Sequence, residues 1–273
     1  MKLTYDISEV RPYINWIYFF HAWSMNGLGG AEKDALLADA GQMLDSWQGL
    51  CHTYAVFEVL EANSDGDDLL IGSVRIPMLR QQRPAVAGQS NLCLADFVRP
   101  LASGVKDRVG AFATTVDPSM EKVHRDDVYL HLLSQVLCDR LAEATAELMH
   151  LQVRRTYWGY APDENLSMSD LLAERYQGIR PAVGYPSLPD TSLNFILSDL
   201  VGMKQIGIQL TETGMMQPHA SVSGLMFAHP QARYFDLGQI GDDQLHDYAR
   251  RRGLPVAYVR RFLSTRLAAP ASV

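Results

Sequence analysis

The feature that most limits the fold of this chain is one long helical stripe. From about Asp126 to Arg155, apolar residues fall at Leu133, Val136, Leu137, Leu141, Ala144, Leu148 and Val153, the spacing of one helix face. Asp139, Arg140, Glu143 and Glu147 stand at ion-pairing distances along the same run and read as its solvated face. A helix of this kind needs other elements against which to bury its stripe.

The stretches around it supply strands. Ala55 to Glu61 and Leu69 to Met78 read as a hairpin, because Asn63-Ser64-Asp65-Gly66-Asp67-Asp68 between them is strong turn chemistry. That acidic turn lacks the ligand order and closing glutamate of a calcium loop. Leu92 to Val98, Val109 to Val116, Ile206 to Leu210 and Val222 to His229 are further strand candidates. Shorter helices fit Ala31 to Trp47, Ser169 to Tyr176, Thr191 to Met203, Asp242 to Arg252 and a last one to about Arg266. Gly253 is placed to end the Asp242 helix in a left-handed turn, with Arg250, Arg251 and Arg252 near its negative end. Strands grouped around long helices, without regular βα alternation, predict an α+β fold with a mainly antiparallel sheet. No linker or repeat divides the chain, so one domain over residues 1–273 is expected. Gln81 to Asn91 and the tail after Leu267 should be the least regular parts.

Charge and cysteine usage exclude several classes. With 24 Lys+Arg against 31 Asp+Glu the net charge is −7, so the footprint of a general nucleic-acid binder is missing. Cys51, Cys93 and Cys138 lie far apart without a C-x-x-C, and read as reduced, buried thiols of a cytoplasmic protein. The N-terminus has acids and a proline where a secretory signal has an apolar run. Pro12 to Ala31 is uncharged and about membrane-length, but Asn15, His21, Ser24, Asn26 and three glycines interrupt it. It reads as a buried, charge-poor segment, and no membrane partner is expected.

Standard catalytic and phosphate-binding motifs are absent, and the eight histidines are scattered without metal-ligand spacing. No catalytic residue is assigned and no metal site is expected. Two stretches stand out. Gly178 to Pro186 sets one arginine, Arg180, among two prolines that fix φ and two glycines that permit close approach. A rigid loop of this kind clamps a carboxylate or phosphate, or ties a structural arginine to backbone carbonyls. Thr213 to Ala232 is uncharged and holds Pro218-His219-Ala220-Ser221-Val222-Ser223-Gly224. Its small polar residues suit a backbone approaching a ligand, or a tightly packed strand and turn.

Together these stretches resemble the C-terminal activation domain of cobalamin-dependent methionine synthase. The resemblance runs from Arg11-Pro12-Tyr13-Ile14-Asn15-Trp16 through Cys93 to Val98, Asp139 to Ala144 and Tyr157 to Ala161. It peaks at Arg180…Gly184-Tyr185, the family's R-x-x-x-G-Y motif, and continues through Ala220 to Gly224, His229-Pro230 and Tyr234-Phe235. It implies a single C-shaped α+β domain around a twisted, mainly antiparallel sheet flanked by long helices, with S-adenosylmethionine on its surface. It further implies that the ligand remethylates oxidised cobalamin held by a partner protein, with an electron from flavodoxin or another reductase. By the resemblance, Asn15, Glu143, Glu174, Arg180, Pro181, Ala182, Gly184, Tyr185, Tyr234 and Phe235 line the S-adenosylmethionine site. Arg180 suits the carboxylate, Tyr185 and Tyr234 offer π faces to the sulfonium or adenine, and the two glutamates favour the cationic groups.

Two positions depart from the family pattern. Asn15 replaces an aspartate that contacts the amino group, which should weaken that contact by about 1 kcal/mol or more. His219 stands in place of a small residue and is read as filling space rather than titrating beside the ligand. The cobalamin-ligand motif D-x-H-x-x-G and a zinc-binding cysteine set are absent, so the chain is not expected to make methionine alone. The reading is a free-standing reactivation module serving a cobalamin-dependent methionine synthase that lacks its own activation domain. Two other classes stay open: a self-contained enzyme that cyclises or cleaves S-adenosylmethionine, and a non-catalytic binding module.

Overall fold

The computed structural model describes residues 1–25, 30–84 and 88–268. Residues 26–29 of the charge-poor segment, 85–87 of the expected irregular stretch and 269–273 of the tail lie outside the described residues. The N-terminal elements are β1 (Lys2–Asp6), α1 (Ile7–Val10), α2 (Trp16–Ala22) and α3 (Gly30–Trp47). Strands β2 (His52–Asp65), β3 (Asp68–Ile71), β4 (Val74–Pro77) and β5 (Asp107–Val116) follow, then helices α4 (Val128–Gln152), α5 (Met168–Leu172) and α6 (Leu193–Val201). The chain continues through β6 (Gln209–Leu210), β7 (Met216–Gln217), β8 (Ser221–Met226), α7 (Asp242–Arg252) and α8 (Val256–Leu263).

One sheet has the order β4–β3–β2–β5–β8 with β1 also on β2, and β6 and β7 form a small second pair. The pairings β1–β2, β2–β3, β3–β4 and β6–β7 are antiparallel. The fold is therefore α+β with a mainly antiparallel sheet, as the sequence predicts. Among the described residues no helix is long and apolar enough to cross a membrane. The chain gathers into two compact units. The first holds Met1–Phe57, Phe112–Tyr176 and Val201–Val222; the second holds Glu58–Ala111, Gln177–Leu200 and Ser223–Val273.

The first unit is built on α4. Asp127 caps it by accepting the Leu130 N–H at 3.0 Å. Leu133, Leu137, Leu141, Ala144 and Leu148 are buried as the stripe predicts. Burial extends further, to Ala142, Thr145, Ala146, Glu147 and His150, so Glu147 does not belong to a solvated face. Strands pack close to the helix here. Thr114 Oγ1 donates to Ala142 O at 2.9 Å, and Thr145 Oγ1 donates to Thr53 Oγ1 at 2.8 Å. Buried hydroxyls thus keep partners. At its end α4 widens into a π-turn, Val153–Tyr157. Strand β1, not foreseen, pairs Lys2 to Asp6 with Val56 to His52. The described residues of the charge-poor segment are mostly not buried as expected: Ile14 and Phe19 are buried, but Ile17 and Tyr18 are 67% and 56% exposed. Lack of charge there reflects no enclosing core.

In the second unit the acidic turn closes on Gly66 and Asp67, with Asp65 opposite Asp68 and Gly66 at φ 61°. The expected single strand Leu69 to Met78 is two strands, because Gly72 at φ 58° and Ser73 make a second tight turn between Ile71 and Val74. The acidic side chains meet arginines. Asp68 accepts from Arg75 and Arg251, and Asp67 accepts from Arg80. Leu92 to Val98 is not a strand but a 3-10 turn, Leu94–Phe97. The Asp96 carboxylate explains it, accepting the Cys93 N–H at 2.8 Å and both terminal nitrogens of Arg80. The hydrogen bonds that Arg80 donates to Asp96 raise the Arg80 pKa. Helix α7 spans the predicted residues and ends on Gly253 at φ 64°. It packs with α8 on a core that includes Leu79, Leu237, Ile240, Leu245 and Tyr248.

Candidate functional site

The Gly178 to Pro186 stretch of the second unit forms an extra strand against β8. Ile179 exchanges both backbone hydrogen bonds with Phe227, at 3.0 and 2.9 Å. Leu225 donates to Pro181 O at 3.1 Å, and Val183 donates to Ser223 O at 2.9 Å. Residues 179, 181 and 183 thus turn their backbone groups toward β8, and Pro181 can return no hydrogen bond. The N–H groups of Arg180 and Ala182 lie off that ladder. Gly184 at φ 90° then allows a tight reversal. Its N–H donates to Leu188 O at 2.8 Å, and Leu188 donates to Tyr185 O at 2.9 Å.

This geometry sets out the predicted residues of that unit. The Arg180 N–H donates to the Tyr234 hydroxyl at 3.0 Å, joining two residues far apart in sequence. Tyr185 is 54% exposed and Tyr234 is 38% exposed, so both side chains reach the surface. Pro181 is buried, Ala182 is half-buried and Gly184 is exposed. Phe235 is half-buried and packs on the core around Leu79 and Leu237, with its ring 6.5 Å from Phe97.

Part of the small-residue stretch forms strand β8. Ser223 is buried and its hydroxyl donates to Asn194 Oδ1 at 2.5 Å, while Gly224 bridges to Ala182. An unforeseen residue secures the far end of the loop. Buried Asp190 accepts from the Ser192 N–H at 2.9 Å, the Tyr248 hydroxyl at 2.7 Å and Arg252. Pro189-Asp190-Thr191-Ser192 carries a helix-start signal, but nothing local in the sequence pairs Asp190 with Arg252. Burial, then the Asp190 charge, holds the Tyr248 hydroxyl well above the usual phenol range.

In the first unit Asn15 caps α2, its amide oxygen accepting the Ile17 N–H at 3.1 Å. Glu143 accepts a two-pronged contact from Arg140, at 2.7 and 3.1 Å. Glu174 closes α5 with φ 57°. His219 does not fill space: its side chain is 80% exposed, and Nδ1 stands 3.6 Å from Asp139 Oδ1. Burial raises the Asp139 pKa, opposed by His219 and Arg140. Ala220 beside it donates its N–H to Glu121 at 2.7 Å.

The thiols are not activated. Burial pushes Cys93 up to about 12 and Cys138 well above its ordinary value. Cys51 is half-buried rather than enclosed. Among the described residues no three His, Cys, Asp or Glu side chains gather as a metal site.

Two comparisons bear on this arrangement. A family model for the activation domain of vitamin B12 dependent methionine synthase matches residues 6–253. Among solved structures, the chain is similar to a crystal structure of the MetH reactivation domain bound to AdoHcy. The two share 39% sequence identity over 99% of this chain and 90% of that one, with a TM-score of 0.93.

Proposed function

Since the chain belongs to the family of vitamin B12 dependent methionine synthase activation domains, we propose that it binds S-adenosylmethionine and supports the reductive methylation, or reactivation, of cobalamin on a separate cobalamin-dependent methionine synthase. The observation that carries this reading is the likeness, along almost the whole chain, to a reactivation domain bound to AdoHcy. AdoHcy has the adenosine, amino and carboxylate groups of S-adenosylmethionine and lacks the transferable methyl.

The residues present suit such a ligand. In the second unit, a loop already fixed by its β8 hydrogen bonds loses little freedom on binding. Its arginine, Arg180, is assigned to the carboxylate, where a guanidinium fork matches two oxygens. Pro181, Ala182 and Gly184 contribute backbone, and the off-ladder Ala182 N–H is a ready donor. The aromatic rings of Tyr185 and Tyr234 are assigned to a sulfonium or an adenine, with Phe235 behind them in sequence. In the first unit, Glu143 and Glu174 are assigned to cationic groups. Asn15 spends one lone pair of its amide oxygen on the helix cap, and the second is available to an ammonium. When bound, S-adenosylmethionine supplies an electrophilic methyl group. The partner in this reading is a cytoplasmic methionine synthase without its own activation domain, and flavodoxin or another reductase supplies the electron.

Calorimetric titration with S-adenosylmethionine and AdoHcy tests the reading. Wild-type protein should bind both, and Arg180→Ala should lose about 2–3 kcal/mol, a factor of roughly 30–150. Methyl transfer to an added cobalamin protein should then follow in the presence of a reductant. Absence of binding to either ligand refutes the proposal. Unchanged affinity in folded Arg180→Ala protein removes that residue from the site.

A further inference from the structure

The turn that ends α5 places a glutamate where helices usually place glycine. The Glu174 N–H donates to Leu171 O and the Arg175 N–H to Asp170 O, both at 3.0 Å, the paired bonds of a Schellman turn. Arg175 and Asp170 also pair through their side chains at 2.7 Å. Glu174 is thereby held at φ 57°, where a Cβ crowds the backbone and glycine would not. A conformation kept against that preference is a mark of use.

The chain just beyond Glu174 is held as firmly. Tyr176 is buried, and its ring centre lies 3.9 Å from the guanidinium carbon of Arg154. The same ring meets His150 edge-on at 5.1 Å. Arg154 is itself fully buried, and its Nε and Nη2 hold the two Glu164 oxygens at 2.8 and 2.7 Å. It stands in the π-turn at the end of α4, a widening that aims one residue away from the regular helix register. Glu174 is thus bracketed by a closed turn before it and a stacked anchor after it.

We infer that Arg154, acting through Tyr176, is a positioning residue for Glu174, which it holds ready for the amino-acid end of the ligand. The inference rests on the proposed binding of S-adenosylmethionine. A purely structural Arg154 would affect every ligand alike; a positioning one affects ligands that carry the amino and carboxylate groups.

Two ligands separate these cases. AdoHcy has both groups, and 5′-methylthioadenosine has the adenosine and thioether without them. Tyr176→Leu removes the stack and keeps an apolar side chain. It should weaken AdoHcy about tenfold and leave methylthioadenosine within about twofold. In Glu174→Gln protein the added Tyr176→Leu change should have no further effect on AdoHcy. Arg154→Lys keeps a charge opposite Glu164 but loses the planar stack, and should give the same pattern where Tyr176→Leu protein fails to fold. Equal losses for both ligands overturn the inference, as does a Tyr176→Leu effect that survives in the Glu174→Gln background; in either case AdoHcy binding itself stands. Wild-type protein that binds neither ligand removes the proposed function and this inference with it.

Discussion

Replacing Glu174 separately by glycine and by alanine measures the backbone strain at the end of α5. Both substitutions remove the carboxylate, so whatever the side chain contacts is lost equally. They differ in the Cβ that alanine retains at φ 57°. A left-handed L-residue is disfavoured by about 1–2 kcal/mol, and glycine's greater freedom in the unfolded chain returns about 0.5–1 kcal/mol of that. The net expectation is that Glu174→Gly exceeds Glu174→Ala in stability by about 0.5–1 kcal/mol. The assay is urea unfolding of both variants, compared at a shared m-value. Equal midpoints, or alanine the more stable, would refute the claim that the turn holds Glu174 against its preference. Titration with AdoHcy on the same samples should find both weaker than wild type, so that the glycine variant gains stability over alanine without regaining affinity.

Asn15→Asp should keep the α2 cap, add about 0.3–1 kcal/mol through the helix dipole and tighten S-adenosylmethionine about fivefold; thermal melts and calorimetry read the two effects separately, and a cap gain without tighter binding confines Asn15 to the helix start. Asp190→Ala should lose about 3–5 kcal/mol in chemical denaturation, because it strands the buried Arg252 charge and the Tyr248 hydroxyl; a loss under about 1 kcal/mol would mean that the network relaxes freely. Asp139 has a raised folded-state pKa, so native protein binds its proton more tightly than unfolded chain does, and stability falls as pH rises through that value. Asp139→Asn should therefore match wild type near pH 3 and surpass it slightly by pH 7, and melts showing the reverse order would refute burial as the dominant effect.

The sequence is most legible where one local signal suffices. The α7 boundaries follow from its periodic residues and Gly253, and the first hairpin from Asp65-Gly66-Asp67-Asp68. The second hairpin is equally local, but its Gly72-Ser73 turn is masked by the apolar run on either side. Elements set by distant partners are not legible. Leu92 to Val98 has strand composition, yet Asp96 is drawn into a turn by Arg80, sixteen residues away. β1 alternates weakly and is a strand because β2 lies beside it. The candidate site divides in the same way. Motif residues mark Arg180 to Tyr185 and the Tyr234 pair, whereas Arg154 looks like one more charge at a helix end. Its burial depends on Glu164 and Tyr176, neither of which periodicity can reveal.

The pairing of Asp68 with Arg251 also has a bearing on synthesis. Those residues are 183 positions apart. At ribosomal rates of about 5–20 residues per second, roughly 10–40 s pass between the emergence of the aspartate and that of its arginine. Through that interval Arg75 of the same β3–β4 hairpin is the arginine that meets Asp68, and the second of the two arginines that pair with its carboxylate has yet to arrive, so the growing chain keeps this corner of the second unit hydrated. Asp190 waits a shorter time for Arg252, 62 positions on. Helix α7, which carries both arginines, is therefore the element that permits this part of the second unit to dry, and closure there is held back until α7 has been made.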